Sequence, residues 1–427
     1  MATELQVGSA TTDLTIADLH NHLAKLLEQY GELNRVLLLP PDFTRKYSGA
    51  GEVTQVLIEL LGKQVEIDAM PALGTHVPMT SREIATMYGH RLPAKHWLEH
   101  NWREDLRRVG EVPAELIKDW SGGAVDYAMP IEVNKRLWEG EYDLIISIGQ
   151  IVPHEVIGMA NYTKNVCVGV GGQETINKSH FLGAAYGMER IMGQTDTPVR
   201  RALDYGVHEF MGDLPLLFVL TVMEKDHDAN RMIFRGLFGG TSKDMYAAAC
   251  DLSRECNLNL LEKPIKKAVV YLEPDEFHTT WLGNKAVYRT RLAMADDGEL
   301  LILAPGLRGF GEDAEIDRLI RKYGYCGTPA TLAAVAEHEE LRNNLSAAAH
   351  LIHGSSEGRF KITYCPGDGV SEAEVRSVGF DYRPYHEVAN VYDPARLRDG
   401  WQTIAGEEIF YVSNPGLGLW AHADRFR

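Results

Sequence analysis

The 427-residue sequence has only five cysteines, Cys167, Cys250, Cys256, Cys326 and Cys365, and no two form a C-x-x-C pair. An odd, scattered set in a chain this long argues against a disulfide framework and points to reduced thiols in a cytoplasmic setting. Long apolar runs are missing, and no stretch reaches the roughly 18 residues of a membrane span. The opening MATELQVGSATTDLT has no basic start followed by an apolar run, so no signal peptide is expected. Positive charge is scarce, with 43 Lys and Arg against 60 Asp and Glu and a net charge of -17. That balance argues against nucleic acid or another polyanion as partner, while a locally positive pocket could still take a small anion. No fixed-period repeat, low-complexity segment or Walker A sequence occurs. The nearest approach to a dinucleotide fingerprint is GVGGQE, where Glu174 stands in place of the last glycine or alanine.

What is present is the pattern of a globular α/β protein. Hydrophobic residues make up 45% and charged residues 24%, and the length implies two domains rather than one core. Ile16, Leu19, Leu23, Leu26, Leu27 and Tyr30 form a helical stripe. RVLLL (Arg35 to Leu39) then reads as a buried strand stopped by Pro40 and Pro41, with a helix resuming from Glu52 to Lys63. VEIDAMPAL (Val65 to Leu73) repeats the unit, and Thr80 to Glu83 is a capping box that opens the next helix. DLIISIG (Asp143 to Gly149) is the third strand, and PLLFVLTVM (Pro215 to Met223) a further one. A small-residue helix is expected over Thr241 to Cys256. The polar stretch Asn257 to Lys266, broken by Pro264, marks a domain boundary. After it come strand KAVVYLE, a helix over Thr280 to Ala295, strand ELLILAPG, a helix over Glu312 to Tyr323, two helices around Leu332 to Ile352, and strands RFKITYC and EEIFYVSNPG. The expectation is two α/β domains, residues 1–262 and 263–400, with the active site in the cleft between them. Residues 401–427 form a tail free to pack back on the first domain.

Loops that follow strands carry the reactive side chains, and in an open α/β sheet ligands sit at the carboxyl ends of strands. Asp42, Thr44 and Arg45 follow the first strand, His76 the second, and His154 the third. Lys164 lies ten residues after His154, and His180 sixteen after Lys164. Imidazole ligates nickel, zinc, copper or iron and exchanges protons near neutral pH. Lys164, beside the apolar strand-like run VCVGVGG, reads equally as a snorkelling surface lysine or as one committed to a covalent or charge role. Arg45 and Lys285 are candidate anion holders. His96 and His100 match the HxxEH pattern of one group of zinc proteases, in a mixed-charge segment where so short a pattern arises by chance.

Taken together, three motifs resemble those of the lactate racemase family. They are Asp42-Phe43-Thr44-Arg45, Gly74-Thr75-His76-Val77-Pro78-Met79-Thr80, and the spaced set His154, Lys164, His180. Trp281, four residues before Lys285, adds a fourth match, and the resemblance runs from about residue 35 to about residue 310. It implies a racemase or epimerase that inverts C2 of a 2-hydroxy acid through a nickel-pincer nucleotide. Lys164 would tether that nucleotide through a thioamide and His180 would ligate nickel. His76 and His154 would be the acid/base pair. Asp42, Thr44, Arg45 and Trp281 would lie at the cofactor, with Arg45 and Lys285 holding substrate anions. Hydride would leave the substrate carbon and return to the other face of a planar 2-keto acid, which avoids removing a weakly acidic C–H proton. Cofactor-maturation proteins follow as partners, and a homo-oligomer is left open. The chain departs from the family where Met159 to Thr163 replaces repeated glycines before the tether, where Val77 follows His76, and where Lys46-Tyr47 follows Arg45. These polar replacements point to a 2-hydroxy acid larger or more polar than lactate, such as a sugar acid. The alternatives are a cofactor-binding or divergent redox homologue without turnover, and an HxxEH zinc hydrolase.

Overall fold

The computed structural model describes residues 4–226 and 231–426. They fall into two compact units, Met1–Leu182 with Ile191–Asn257, and Gly183–Arg190 with Leu258–Arg427.

The first unit is built on a six-stranded sheet. Its strands are β1 (Leu5–Gly8), β2 (Arg35–Leu39), β3 (Glu66–Ala69), β4 (Leu144–Gln150), β5 (Leu216–Asp226) and β6 (Arg231–Gly240). The spatial order is β1-β6-β5-β4-β2-β3. β3, β2, β4 and β5 are mutually parallel, and β6 and β1 close one edge antiparallel. Val36 to Leu39 and Leu144 to Ile146 are fully buried, the continuous apolar lettering of strands covered on both faces. Helix α1 (Ile16–Leu27) buries Leu19, Leu23 and Leu26, and Thr15 with Asp18 forms the capping box at its start. Helix α2 (Ala50–Leu61) buries Val53, Val56 and Leu57. Its N-cap Gly49 has φ 71°, and a Cβ there would meet the Phe234 ring at 2.5 Å, so only glycine fits. The chain runs from β2 outward to β3 and then returns to place β4 on the other side of β2. That reversal makes the carboxyl ends of β2 and β4 the topological switch point of the sheet, where such folds bind ligands.

The second unit carries another six-stranded sheet. Its strands are β7 (Ile265–Tyr271), β8 (Met294–Ala304), β9 (Lys361–Pro366), β10 (Asp381–Tyr382), β11 (Gly400–Ile404) and β12 (Glu407–Val412). The order is β10-β9-β8-β7-β12-β11, with β11 alone antiparallel to its neighbour. The mixed α/β class expected from the sequence is therefore what the chain forms.

Two local expectations change. The helix expected over Thr280 to Ala295 is two short pieces, Thr280–Gly283 and Lys285–Thr290, and Met294 already begins β8. The break is at Asn284, whose buried side chain accepts the Tyr364 hydroxyl at 2.7 Å instead of facing solvent. Residues 401–427, read from the sequence as a tail free to pack back on the first domain, cluster with the second unit. β12 pairs with β7, and Leu419–His422 pairs in parallel with Leu258–Leu261. The backbone hydrogen bonds of this segment are thus satisfied by the second unit's own strands. No helix among the described residues is long and apolar enough to cross a membrane.

Candidate functional site

Three loops leave the carboxyl ends of adjacent parallel strands, and each delivers one part of the site. After β2, Asp42 caps the single 3-10 turn Phe43–Arg45, with its Oδ1 accepting from the Thr44 backbone N–H at 3.1 Å and from the Thr44 hydroxyl. After β3, the loop turns at Gly74 and brings His76 back, so that Nδ1 lies 2.5 Å from Asp42 Oδ2. The Asp42 side chain is 7% exposed and that of His76 57%. Burial alone would raise the Asp42 carboxyl, but hydrogen bonds and charge from His76, Thr44 and Arg45 outweigh it and hold the group below the usual carboxylate range. An ionised Asp42 accepts, so His76 Nδ1 carries the proton and Nε2 presents a bare lone pair. Thr80, further along, caps helix α3 (Ser81–Tyr88) with Glu83 in the expected box.

After β4, Pro153–His154 pairs with Gly158–Met159 in a two-residue antiparallel ladder. His154 Nδ1 accepts the Val156 backbone N–H at 3.1 Å, which leaves the proton of the neutral ring on Nε2. The two histidines are therefore set in opposite tautomers. Burial, joined by the charges of Lys164, His180 and Arg45, pushes His154 well below the ordinary imidazole range, against the raising effect of Glu155. Glu155 Oε2 lies 3.9 Å from His154 Nδ1 and also favours the charged forms of Lys164 and His180. Sequence reasoning passed over Glu155, because a carboxylate next to a histidine reads as a solvated charge until the loop is folded.

Lys164 does not precede a strand. The apolar run read as strand-like is the wide π-helical turn Asn165–Gly169, anchored by Asn165 Nδ2 on Leu39 O at 3.0 Å and Ser147 Oγ at 2.9 Å. Ahead of it, Asn161 (φ 60°) and Tyr162 (φ 58°) both adopt the left-handed conformation. For residues with a Cβ that conformation costs about 1–2 kcal/mol each. Burial, with Arg45 nearby, brings the Lys164 ammonium down from 10.5 to about 8. Lys164 is half-buried, and desolvation is the largest cause of its lowered ammonium. Its amine is accordingly expected to acylate with a midpoint near pH 8. Competitive acetic anhydride labelling read at the Lys164 peptide measures this, and a midpoint above about 10, the ordinary lysine value, contradicts it.

His180 lies on the helix Gln173–Tyr186. Its Nδ1 donates to Ile176 O at 2.7 Å, one turn back, which fixes the tautomer and leaves the Nε2 lone pair free to ligate. Burial and the Lys164 charge lower this imidazole to about 4, so it is neutral at physiological pH as a metal ligand must be.

Trp281 and Lys285 belong to the second unit. There the Trp281 ring packs on His350, with centroids 4.3 Å apart, and Lys285 Nζ lies 3.9 Å from Glu276 Oε1. His350 bridges two tyrosines, with Nδ1 2.9 Å from Tyr288 Oη and Nε2 2.9 Å from Tyr325 Oη.

The HxxEH reading fails on geometry. His96 ends a 3-10 turn, Trp97 is extended, and no helix aligns the two rings. His96 Nδ1 is on Asp68 Oδ1 at 3.0 Å, while both nitrogens of buried His100 are engaged, by Gly171 O and Asn134 Nδ2. His100→Ala is expected to destabilise the fold by about 1–3 kcal/mol, the cost of stranding those two partners, read as a lowered urea midpoint. Among the described residues, Glu66, Asp68 and His96 have ligand atoms close enough to share a metal. The Arg35 guanidinium already lies 3.5 Å from Glu66 and 3.3 Å from Asp68, so the cluster is an ion-pair network with its cation supplied.

Residues 19–190 match the family model of the lactate racemase N-terminal domain. No curated protein matches the chain. Two solved structures share the fold across nearly the whole length. A Thermotoga maritima protein is 23% identical over 97% of this chain and 99% of its own, with a TM-score of 0.80. The lactate racemase apoprotein of Thermoanaerobacterium thermosaccharolyticum is 15% identical over 98% of this chain and 100% of its own, with a TM-score of 0.70.

Proposed function

We propose, from the match of residues 19–190 to the lactate racemase N-terminal domain, that this chain is a racemase or epimerase of 2-hydroxy acids that works with a nickel-pincer nucleotide. The observation that carries the reading is the convergence of Asp42, His76, His154, Lys164 and His180 on loops and a helix at one end of the parallel strands. The residues fit the group. Lys164 is a half-buried amine that is substantially neutral near pH 8, suited to attack an activated carboxyl carbon. His180 offers a single oriented lone pair of a kind nickel accepts. When bound, the nucleotide supplies a site that takes up a hydride and gives it back.

Every other task falls to the chain. His76, with Nδ1–H held by Asp42, accepts the substrate hydroxyl proton at Nε2, and the carboxylate steadies the imidazolium that forms. His154 presents Nε2–H as a hydrogen-bond donor to the substrate oxygen in its other configuration. The proton taken up by His76 returns from its imidazolium to that oxygen as the inverted hydroxyl forms, so both rings end the cycle as they began it. Arg45, at the end of the Asp42 turn, holds the substrate carboxylate so that the carbon keeps its place while its substituents invert. Lys46 and Tyr47, exposed directly after Arg45, favour a larger or more polar acid, such as a sugar acid, over lactate.

The test is a chiral assay over a panel of 2-hydroxy acids on protein from a host that makes the cofactor. Inversion of the sugar acids above lactate supports the reading, and turnover of lactate alone overturns the substrate part. An unmodified Lys164 without nickel under loading conditions overturns the cofactor part and favours a divergent homologue without turnover.

A further inference from the structure

The tether segment of this chain holds a backbone shape that glycine would adopt freely, and it does so without glycine. Asn161 (φ 60°) and Tyr162 (φ 58°) are consecutive left-handed residues, and for a side chain as bulky as tyrosine that is a true outlier. An outlier of this kind persists only where its surroundings determine it. Here the determinant comes from helix α4 (Pro198–Phe210), whose first turn is hydrogen-bonded to the segment. Arg200 is fully buried, with 0% exposure. Its guanidinium donates to Met159 O at 2.9 Å, Asn161 O at 3.1 Å and Thr163 Oγ1 at 2.6 Å, three successive alternate residues. The Thr163 hydroxyl donates a hydrogen bond to Asp204 Oδ1 at 2.7 Å, which closes the grip one turn further along the same helix. Thr197, the helix cap, holds Ile157 O at 3.0 Å. The Tyr162 ring lies between Phe218 and Tyr246, at 4.5 Å and 4.8 Å, and Tyr246 Oη reaches Met159 O at 3.2 Å.

We infer that Arg200 is a positioning residue for Lys164: by clamping Met159, Asn161 and Thr163 it holds the left-handed turn that aims the lysine, doing with a buried guanidinium what flexible glycines would leave to chance. The inference rests on Lys164 being the tether. A guanidinium suits the task, since its planar fork spans several acceptors at fixed angles and stays charged when buried. The deployment is costly, and Arg200 Nε has no hydrogen-bond partner. The guanidinium also lies 3.6 Å from Asp204 Oδ1 and 4.5 Å from the centre of the Tyr246 ring, but its three hydrogen bonds all go to the one segment. Nothing in the local sequence marks it, because Arg200 stands 36 residues after Lys164 on a helix that reads as an ordinary surface element.

The test keeps the charge and removes the fork. Arg200→Lys cannot span three acceptors, so the turn relaxes and Lys164 meets water. Two readouts follow. In apoprotein, the pH midpoint of Lys164 acetylation rises by about one unit or more from its wild-type value. In a host that makes the nucleotide, the fraction of chain carrying the adduct falls about tenfold. Adding Asn161→Gly to Arg200→Lys recovers a large part of both, because glycine holds a positive φ unaided. If Arg200→Lys does not fold, Thr163→Val, which removes the hydroxyl shared by Arg200 and Asp204, is read in the same way. A midpoint and adduct fraction within twofold of wild type, with only a lower melting temperature, make Arg200 a packing residue and overturn the inference. The acetylation arm needs no nucleotide. If the wild-type chain never carries an adduct, the proposed function fails while the clamp is still tested.

Discussion

Lys164→Ala is expected to abolish both the covalent adduct and inversion of substrate. In the proposed function the amine is the group through which the nucleotide is held, and a methyl offers neither a bond nor a charge in its place. An untethered nucleotide would bind from dilute solution, so turnover falls by more than about three orders of magnitude, the scale of effective-concentration effects. Intact-mass measurement on protein from a cofactor-making host reads the adduct, and chiral chromatography reads the reaction. Lys63→Ala, an exposed helix-end lysine, leaves both unchanged. An adduct that survives Lys164→Ala places the attachment elsewhere and removes the basis for the assigned chemistry. The fold tolerates this change, because a half-buried cation is lost and nothing is stranded in its place.

Asp42→Asn is expected to lower kcat by about two to four orders of magnitude with KM and the adduct nearly unchanged. The carboxylate does two things at once. It fixes the proton of His76 on Nδ1, and it stabilises the charged ring once a proton arrives at Nε2. An amide in the same space can turn its NH2 toward Nδ1, which moves the imidazole proton to Nε2 and blocks the base. Thr44 reinforces the outcome, since its backbone N–H and hydroxyl hold the other oxygen and keep the group from rotating away. The lowered carboxyl makes a second check. Asp42 stays ionised from neutral pH down past the ordinary carboxylate range, so the stability it contributes is present above that range and is lost as pH falls below it. A kcat within twofold of wild type contradicts the pairing and leaves His76 as a surface residue.

The strands that carry the site were legible because they are short, apolar on both faces and stopped by proline or glycine. Val36 to Leu39 and Leu144 to Ile148 are completely buried. The motif loops were legible because each follows such a strand directly. What could not be read was anything set by a partner far along the chain. The run after Lys164 is apolar and short, which suits a strand or a buried helical turn equally. It is decided by Asn165, which reaches back to Leu39 and Ser147 on two different strands. The break at Asn284 depends on Tyr364, eighty positions away. His96 and His100 match a metal-site pattern that arises by chance in so mixed a segment, and it is the fold that shows them turned toward Asp68 and toward Asn134 and Gly171. The opposite tautomers of His76 and His154 are invisible in one dimension, since each is chosen by a single hydrogen bond.

The depressed lysine has a consequence for the life of the protein before it is loaded. An ammonium brought from 10.5 to about 8 by burial opposes folding at neutral pH, by about 3 kcal/mol when the shift is converted. The unfolded chain holds that proton more tightly, so the unmodified protein gains stability as pH rises from about 8 toward 10.5. Acylation of the amine removes the charge and the penalty with it. On the proposed function, in which Lys164 is the attachment point, the unloaded chain is therefore the less stable form and the more open to proteolysis, and attachment converts it to the more stable one.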